Sequence, residues 1–194
     1  YEREEIRDGA TESRFEERRA GWSLRTGWRV GKDQRLNFRF THEIIDVTAV
    51  EIPGTTTVVL PEDLRDLDED LDNDVKYQQQ SIRLSWIKDA RDNRLNAKEG
   101  YRLALSATNT GGFLEGINGF QQYTMDWRRY HKFRGLLGKK LGYRTVFAYR
   151  VKGGTTNMTD GELRFVDRFS LGGGETLRGW EDHEFTGDKF AYAN

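Results

Sequence analysis

The chain has no cysteine, only two prolines and no long apolar run in its 194 residues. Zero cysteine excludes a disulfide framework and thiolate metal sites, and it suits an oxidising or periplasm-facing compartment. No stretch approaches the ~18 apolar residues that a membrane helix needs, so helical spanning is out. A formal net charge of −1 leaves no broad basic face for nucleic acid. His42, His131 and His183 are scattered without ligand spacing. The run Gly172–Gly179 is no dinucleotide fingerprint, because no buried strand precedes it and no helix follows. No nucleophile constellation stands out. The expectation is a protein without metal, cofactor or covalent chemistry.

What is present is alternation. A mean hydropathy of −0.83 and 32% charged residues would ordinarily mean a polar, soluble domain. Membrane β-barrels escape that inference, because half of each strand faces a polar lumen. Twelve per cent aromatics with so few prolines suits such strands. From Ala20 to Val30, Trp22, Leu24 and Trp28 alternate with Ser23, Arg25 and Arg29. From Arg35 to Ile44, Leu36, Phe38 and Phe40 oppose Asn37, Arg39 and Thr41, with His42 the imperfect member. Ile82, Leu84 and Trp86 oppose Arg83 and Ser85; Tyr101, Leu103 and Leu105 oppose Arg102 and Ser106. Tyr123, Met125 and Trp127 oppose Thr124, Asp126 and Arg128, and Leu141–Arg150 repeats the pattern less cleanly.

Adding a strand near Tyr1–Ile6 and one opening at Gly187 predicts an all-β, antiparallel meander of about eight strands. A soluble sandwich also has one polar face. Here the polar partners are Arg, Gly, Ser and Thr, as a hydrated, electropositive lumen requires. With strands alternating in direction, Trp28, Trp86, Tyr101, Trp127 and Tyr143 fall near one end, as an interfacial girdle demands. At that end the connections are Gly31–Asp33, Ala90–Gly100 and His131–Gly138. At the other they are Glu51–Val75, Asn109–Asn118 and Lys152–Thr186, two of them long, which is the barrel habit. Asp126 and Glu43 on the polar face read as partners of luminal arginines, since guanidinium neighbours suppress the protonated form a general acid needs. The acidic segment Glu62–Asp74 reads as an exposed loop; it lacks the glycine and distal Glu of a calcium loop. The chain starts without Met and stops inside a strand pattern, so residues 1–194 are expected to be one partial domain.

Two motifs stand out. The first is Phe169-Ser-Leu-Gly-Gly-Gly-Glu-Thr-Leu-Arg-Gly-Trp180. Gly173 and Gly174 with their neighbour Gly172 permit positive φ and close packing, and Gly179 permits reversal beside Trp180. Leu177 precedes Arg178, whose planar fork can grip a carboxylate bidentately. The second is the turn with Asp89, Arg91, Asp92 and Asn93, closed by Gly100. Asp92 and Asn93 can cap it through backbone amides, and Gly100 supplies a left-handed exit.

Together these motifs resemble the BamA family of outer-membrane assembly barrels, over roughly Phe15 to Asn194. Leu177 and Trp180 stand where Val and Phe or Tyr are commoner, and Asn96-Ala97-Lys98-Glu99 replaces the usual Pro-Thr. The resemblance implies a piece of a transmembrane barrel of roughly sixteen strands that folds and inserts other outer-membrane proteins. It implies that the Arg178 loop folds back into the barrel and that Arg178 pairs with a carboxylate on a later strand, outside this chain. The implied partners are outer-membrane lipids, unfolded outer-membrane clients and periplasmic or lipoprotein assembly factors. The alternatives are a two-partner secretion pore sharing the loop, a passive porin, and a soluble carbohydrate-binding sheet.

Overall fold

Strand follows strand in order. A computed structural model describes residues 2–7, 14–50, 74–114, 116, 118–132, 145–160, 163, 167–174, 176–181 and 184–194. The wall strands are β1 (Glu2–Arg7), β2 (Arg14–Gly31), β3 (Gln34–Val50), β4 (Asp74–Asp89), β5 (Gly100–Thr110), β6 (Gly119–Lys132) and β7 (Val146–Asp160). Two short strands, β8 (Phe169–Leu171) and β9 (Phe185–Gly187), pair only with each other. β10 (Lys189–Ala193) then returns to the wall beside β7, giving an eight-stranded antiparallel sheet in chain order.

Register follows from the turns and the alternation together. The Lys32-Asp33 turn pairs Gly31 with Gln34 and sets Trp28 opposite Leu36 and Leu24 opposite Phe40. The next ladder sets Leu36 opposite Trp86 and Phe38 opposite Leu84. Most outward apolar residues therefore meet another across the strand boundary, Trp22 opposite His42 being an exception, and a one-residue slip would move the whole set to the other face. This face lies bare: Trp22 is 58% exposed and Leu24 61%. Among the described residues no second layer covers it. A continuous exposed apolar face of this kind marks a surface made for contact with lipid or with another protein.

Of the expected aromatic row, Trp28, Trp86, Tyr101 and Trp127 lie towards the short-turn end of the wall. Trp28 and Trp86 flank Leu36 at one level, while Trp127 and Tyr149 meet edge to face, with centroids 5.4 Å apart, towards the same end. The indole N–H of Trp86 donates to Gln34 Oε1 at 3.1 Å, so its polar edge is satisfied. Tyr143, the His131–Gly138 turn beyond Lys132 and the acidic segment before Asp74 lie outside the described residues.

Three expectations need correction. β7 does not end near Arg150 but runs to Asp160, so the long connection that follows it starts later. Its Lys152-Gly-Gly-Thr-Thr segment carries no apolar contrast to reveal it. Gly187 closes β9 instead of opening a wall strand, and the wall resumes at Lys189. The inner face is also not polar throughout. Beyond Glu43 the inward positions become Ile45 and Val47, both fully buried, with Val75 and Tyr77 opposite them on β4. The arginine-bearing face thus turns into a dry apolar block at the long-loop end.

Candidate functional site

The inner hairpin β8–β9 carries the first motif. Gly172, at φ 143°, and Gly173, at φ 73°, turn the chain out of β8. At Gly172 a side chain is excluded outright, since a Cβ would stand 1.9 Å from the Glu181 carbonyl oxygen. Thr176 locks the bend: its hydroxyl accepts from the Gly172 amide at 2.8 Å and also donates to the Gly172 carbonyl. The Gly173 amide donates to the Trp180 carbonyl at 3.1 Å, and Trp180 stacks edge to face on Phe185, with centroids 4.8 Å apart. Leu177 is half-buried, whereas Arg178, Gly179 and Trp180 are exposed at the tip. Gly174 has open space around it and an ordinary φ. Among the described residues no carboxylate pairs with Arg178, so its fork is presented free.

Three contacts hold the base of this hairpin against the wall. Gln122 Nε2 on β6 donates to the Asp167 carbonyl at 2.9 Å, and Gln79 Nε2 on β4 reaches Asp167 Oδ1 at 3.4 Å. Phe169 meets Phe190 of β10. Phe169, Leu171 and Thr176 then face Arg39, Thr41 and Arg83 across a cavity of about 570 Å³. The hairpin therefore hangs on the arginine-bearing face, which is the interior of the curved wall. Motif reading gave Thr176 and Phe169 no role of their own and passed over Asp167, the anchor of the hairpin base. The signal for Asp167 was its place just ahead of the Phe169 strand.

The second motif closes β4 to β5. Arg91 grips Asp89 with two parallel bonds, Nε to Oδ1 at 2.7 Å and Nη2 to Oδ2 at 2.9 Å, and lies 5.9 Å from the Tyr130 ring. Asp92 Oδ1 accepts from the amides of Asn93, Lys98 and Glu99 at 2.9, 2.9 and 3.2 Å. Asn93 Oδ1 accepts from Leu95 and Asn96 at 2.8 and 3.1 Å. Gly100, at φ 100°, returns the chain into β5. Backbone donors from Lys98 and Glu99 hold the exposed Asp92 carboxyl below its usual range. The two motifs are not brought together: one caps the short-turn end, the other hangs from the inner wall.

Between them lies a charge hub. Asp126 accepts bidentately from Arg128 at 3.2 and 2.9 Å and from Arg150 at 3.1 and 3.0 Å, with Arg102 3.8 Å away. Glu43 takes Arg19 at 3.6 Å. Both carboxylates act as partners of luminal arginines, as the alternation indicated. Among the described residues no group of His, Asp and Glu could hold a metal ion.

An antiparallel wall with one bare apolar face, one arginine-lined face and a hairpin folded onto the latter is the architecture of an outer-membrane β-barrel. The chain belongs to the Omp85 superfamily, whose domain model matches residues 3–191. The fold is similar to the crystal structure of BamA from Haemophilus ducreyi lacking POTRA domains 1–3, with a TM-score of 0.69 and 14% identity. That match covers 93% of this chain and 33% of that one, so the chain spans about a third of the length of that crystallised chain. No curated protein matches the chain.

Proposed function

We propose that the full-length protein is a BamA-like insertase that helps other outer-membrane barrels fold and insert, without covalent chemistry. The observation that carries this reading is the β8–β9 hairpin bolted to the inner wall in a member of the Omp85 superfamily, with Leu177-Arg178-Gly179-Trp180 at its tip. In this reading Trp22, Leu24 and Leu84 contact lipid, the arginine face bounds water, and unfolded barrel precursors are the clients. Periplasmic or lipoprotein factors would deliver those clients. Arg178 reaches a carboxylate on a strand outside this chain, bracing the wall from within.

Depleting the full-length protein from its host tests this. Other outer-membrane barrels should lose their folded, heat-modifiable forms together. Loss of a single exported cargo with barrels intact would instead make it a secretion pore of the two-partner type. High steady conductance with neither defect would make it a passive porin.

A further inference from the structure

On the inner wall, Arg25 lies directly opposite Arg39, and Arg39 directly opposite Arg83. Adjacent strands are ~4.8 Å apart, so three guanidinium-bearing positions share a row about 10 Å long. Like charges directly opposed destabilise a sheet. Glu43, two inward positions along β3, is engaged by Arg19, and among the described residues no carboxylate pairs with Arg25, Arg39 or Arg83. The contrast with Arg102, Arg128 and Arg150, which converge on Asp126, shows that the wall supplies counter-charge elsewhere. The nearest inward neighbours on β3 and β4 are neutral hydrogen-bonding groups, Asn37 and Ser85 on one side and Thr41 and Ser81 on the other, with Arg35 and Glu43 one inward position further out. Arg83 spends its Nε on Thr108 Oγ1 at 3.0 Å, which orients the group and leaves its terminal nitrogens to donate. Arg25, Asn37, Arg39, Arg83 and Ser85 line an open depression of about 580 Å³.

We propose that this row is a binding site for a multivalent oxyanion of the diphosphate class. Guanidinium forks match phosphoryl oxygens bidentately. A row of three, spread over two strand spacings, suits two linked phosphoryl groups better than one small halide. The like-charge cost stored in the row is released when the anion sits between the forks. The site is a property of the lumen wall and holds whether or not the barrel inserts clients, so failure of the insertase assay leaves it standing.

The test uses the full-length barrel in detergent micelles, titrated with inorganic diphosphate against chloride at matched ionic strength. Diphosphate should raise the melting temperature of the parent protein. Arg39→Gln and Arg25→Gln should each weaken diphosphate binding by calorimetry about tenfold or more, the worth of a charged hydrogen bond. Arg39→Lys, which keeps the charge and loses the fork, should fall between. Without diphosphate the Gln variants should melt no lower than the parent, because repulsion is relieved. Equal diphosphate effects on parent and Arg39→Gln would overturn the proposal, as would a Gln variant that melts lower without ligand. Tighter binding of an oligoglutamate peptide than of diphosphate would overturn it too, assigning the row to acidic polypeptide.

Discussion

The ring of Phe169, on the inner hairpin, meets that of Phe190, on the wall, edge to face with centroids 4.7 Å apart. Residue 154 lies opposite Phe190 in the ladder. There a Cβ would stand 2.7 Å from Phe190 Cε1 and 3.1 Å from Phe169 Cζ. The missing side chain of Gly154 is therefore the seat into which hairpin and wall are fitted, and the join depends on shape as well as on the Asp167 hydrogen bonds.

Gly154→Val should unseat the hairpin, at a cost of about 1–3 kcal/mol, the usual range for overpacking. The check is the temperature at which the folded, fast-migrating form of the full-length barrel unfolds. Phe169→Ala should relieve part of the clash, so the double variant should lose less than the two single losses added. Strict additivity would mean that the rings do not share the seat.

Asp126→Asn should destabilise the wall on the order of 2 kcal/mol. That is less than the ~3–5 kcal/mol for breaking a fully buried pair, because water reaches the Arg128 and Arg150 side chains, 35% and 23% exposed. Denaturant unfolding of the full-length barrel reads this directly. Replacing Arg102 alone should matter less, since at 3.8 Å it makes the longest contact of the three.

Arg178→Ala should leave the strand signature in circular dichroism intact while lowering the fraction of full-length barrel that reaches its heat-modifiable form. A charge-assisted bidentate pair is worth ~1.5–3 kcal/mol, and Arg178→Lys should restore little of it because an ammonium cannot match the fork. Unchanged assembly in the Ala variant would remove the bracing role proposed for this residue.

The turn at Asp92 should be acid-sensitive in a defined direction. Its folded-state carboxyl titrates below the usual value, chiefly through the Lys98 and Glu99 amides. The stabilisation is therefore fully present above the unfolded pKa of ~3.9. It is lost as pH falls through the lower folded value. A carbon-13 titration of the Asp92 carboxyl should show a midpoint below that of an unstructured Asp. In Asp92→Asn, whose side-chain oxygen still accepts, the acid response of turn stability should shrink to what the Asp89–Arg91 pair contributes.

Much of the wall could be read from residue order because strand geometry converts spacing into facing. Trp22, Leu24, Leu84 and Met125 mark one side at every second position, and the structure leaves all four exposed. Period two, however, identifies a face without saying what lies against it. Ile45, Val47, Val75 and Tyr77 continue the phase of Arg25, Arg39 and Arg83, and only the folded chain shows that this side changes from wet to dry along β3 and β4. Gly153 and Gly154 left β7 without contrast, although Gly154 turns out to be a packing position. In the hairpin the glycine cluster marked the bend but not its critical member: Gly172 meets the Glu181 backbone, while Gly174 meets nothing.

That dry block divides the inner face into two zones. With Ile45 and Val47 sealed from water and the buried Asp167 latched to Gln79, a polar side chain placed at either aliphatic position would be stranded without a hydrogen-bonding partner, whereas the same change at Thr41, which lines the cavity, would stay hydrated.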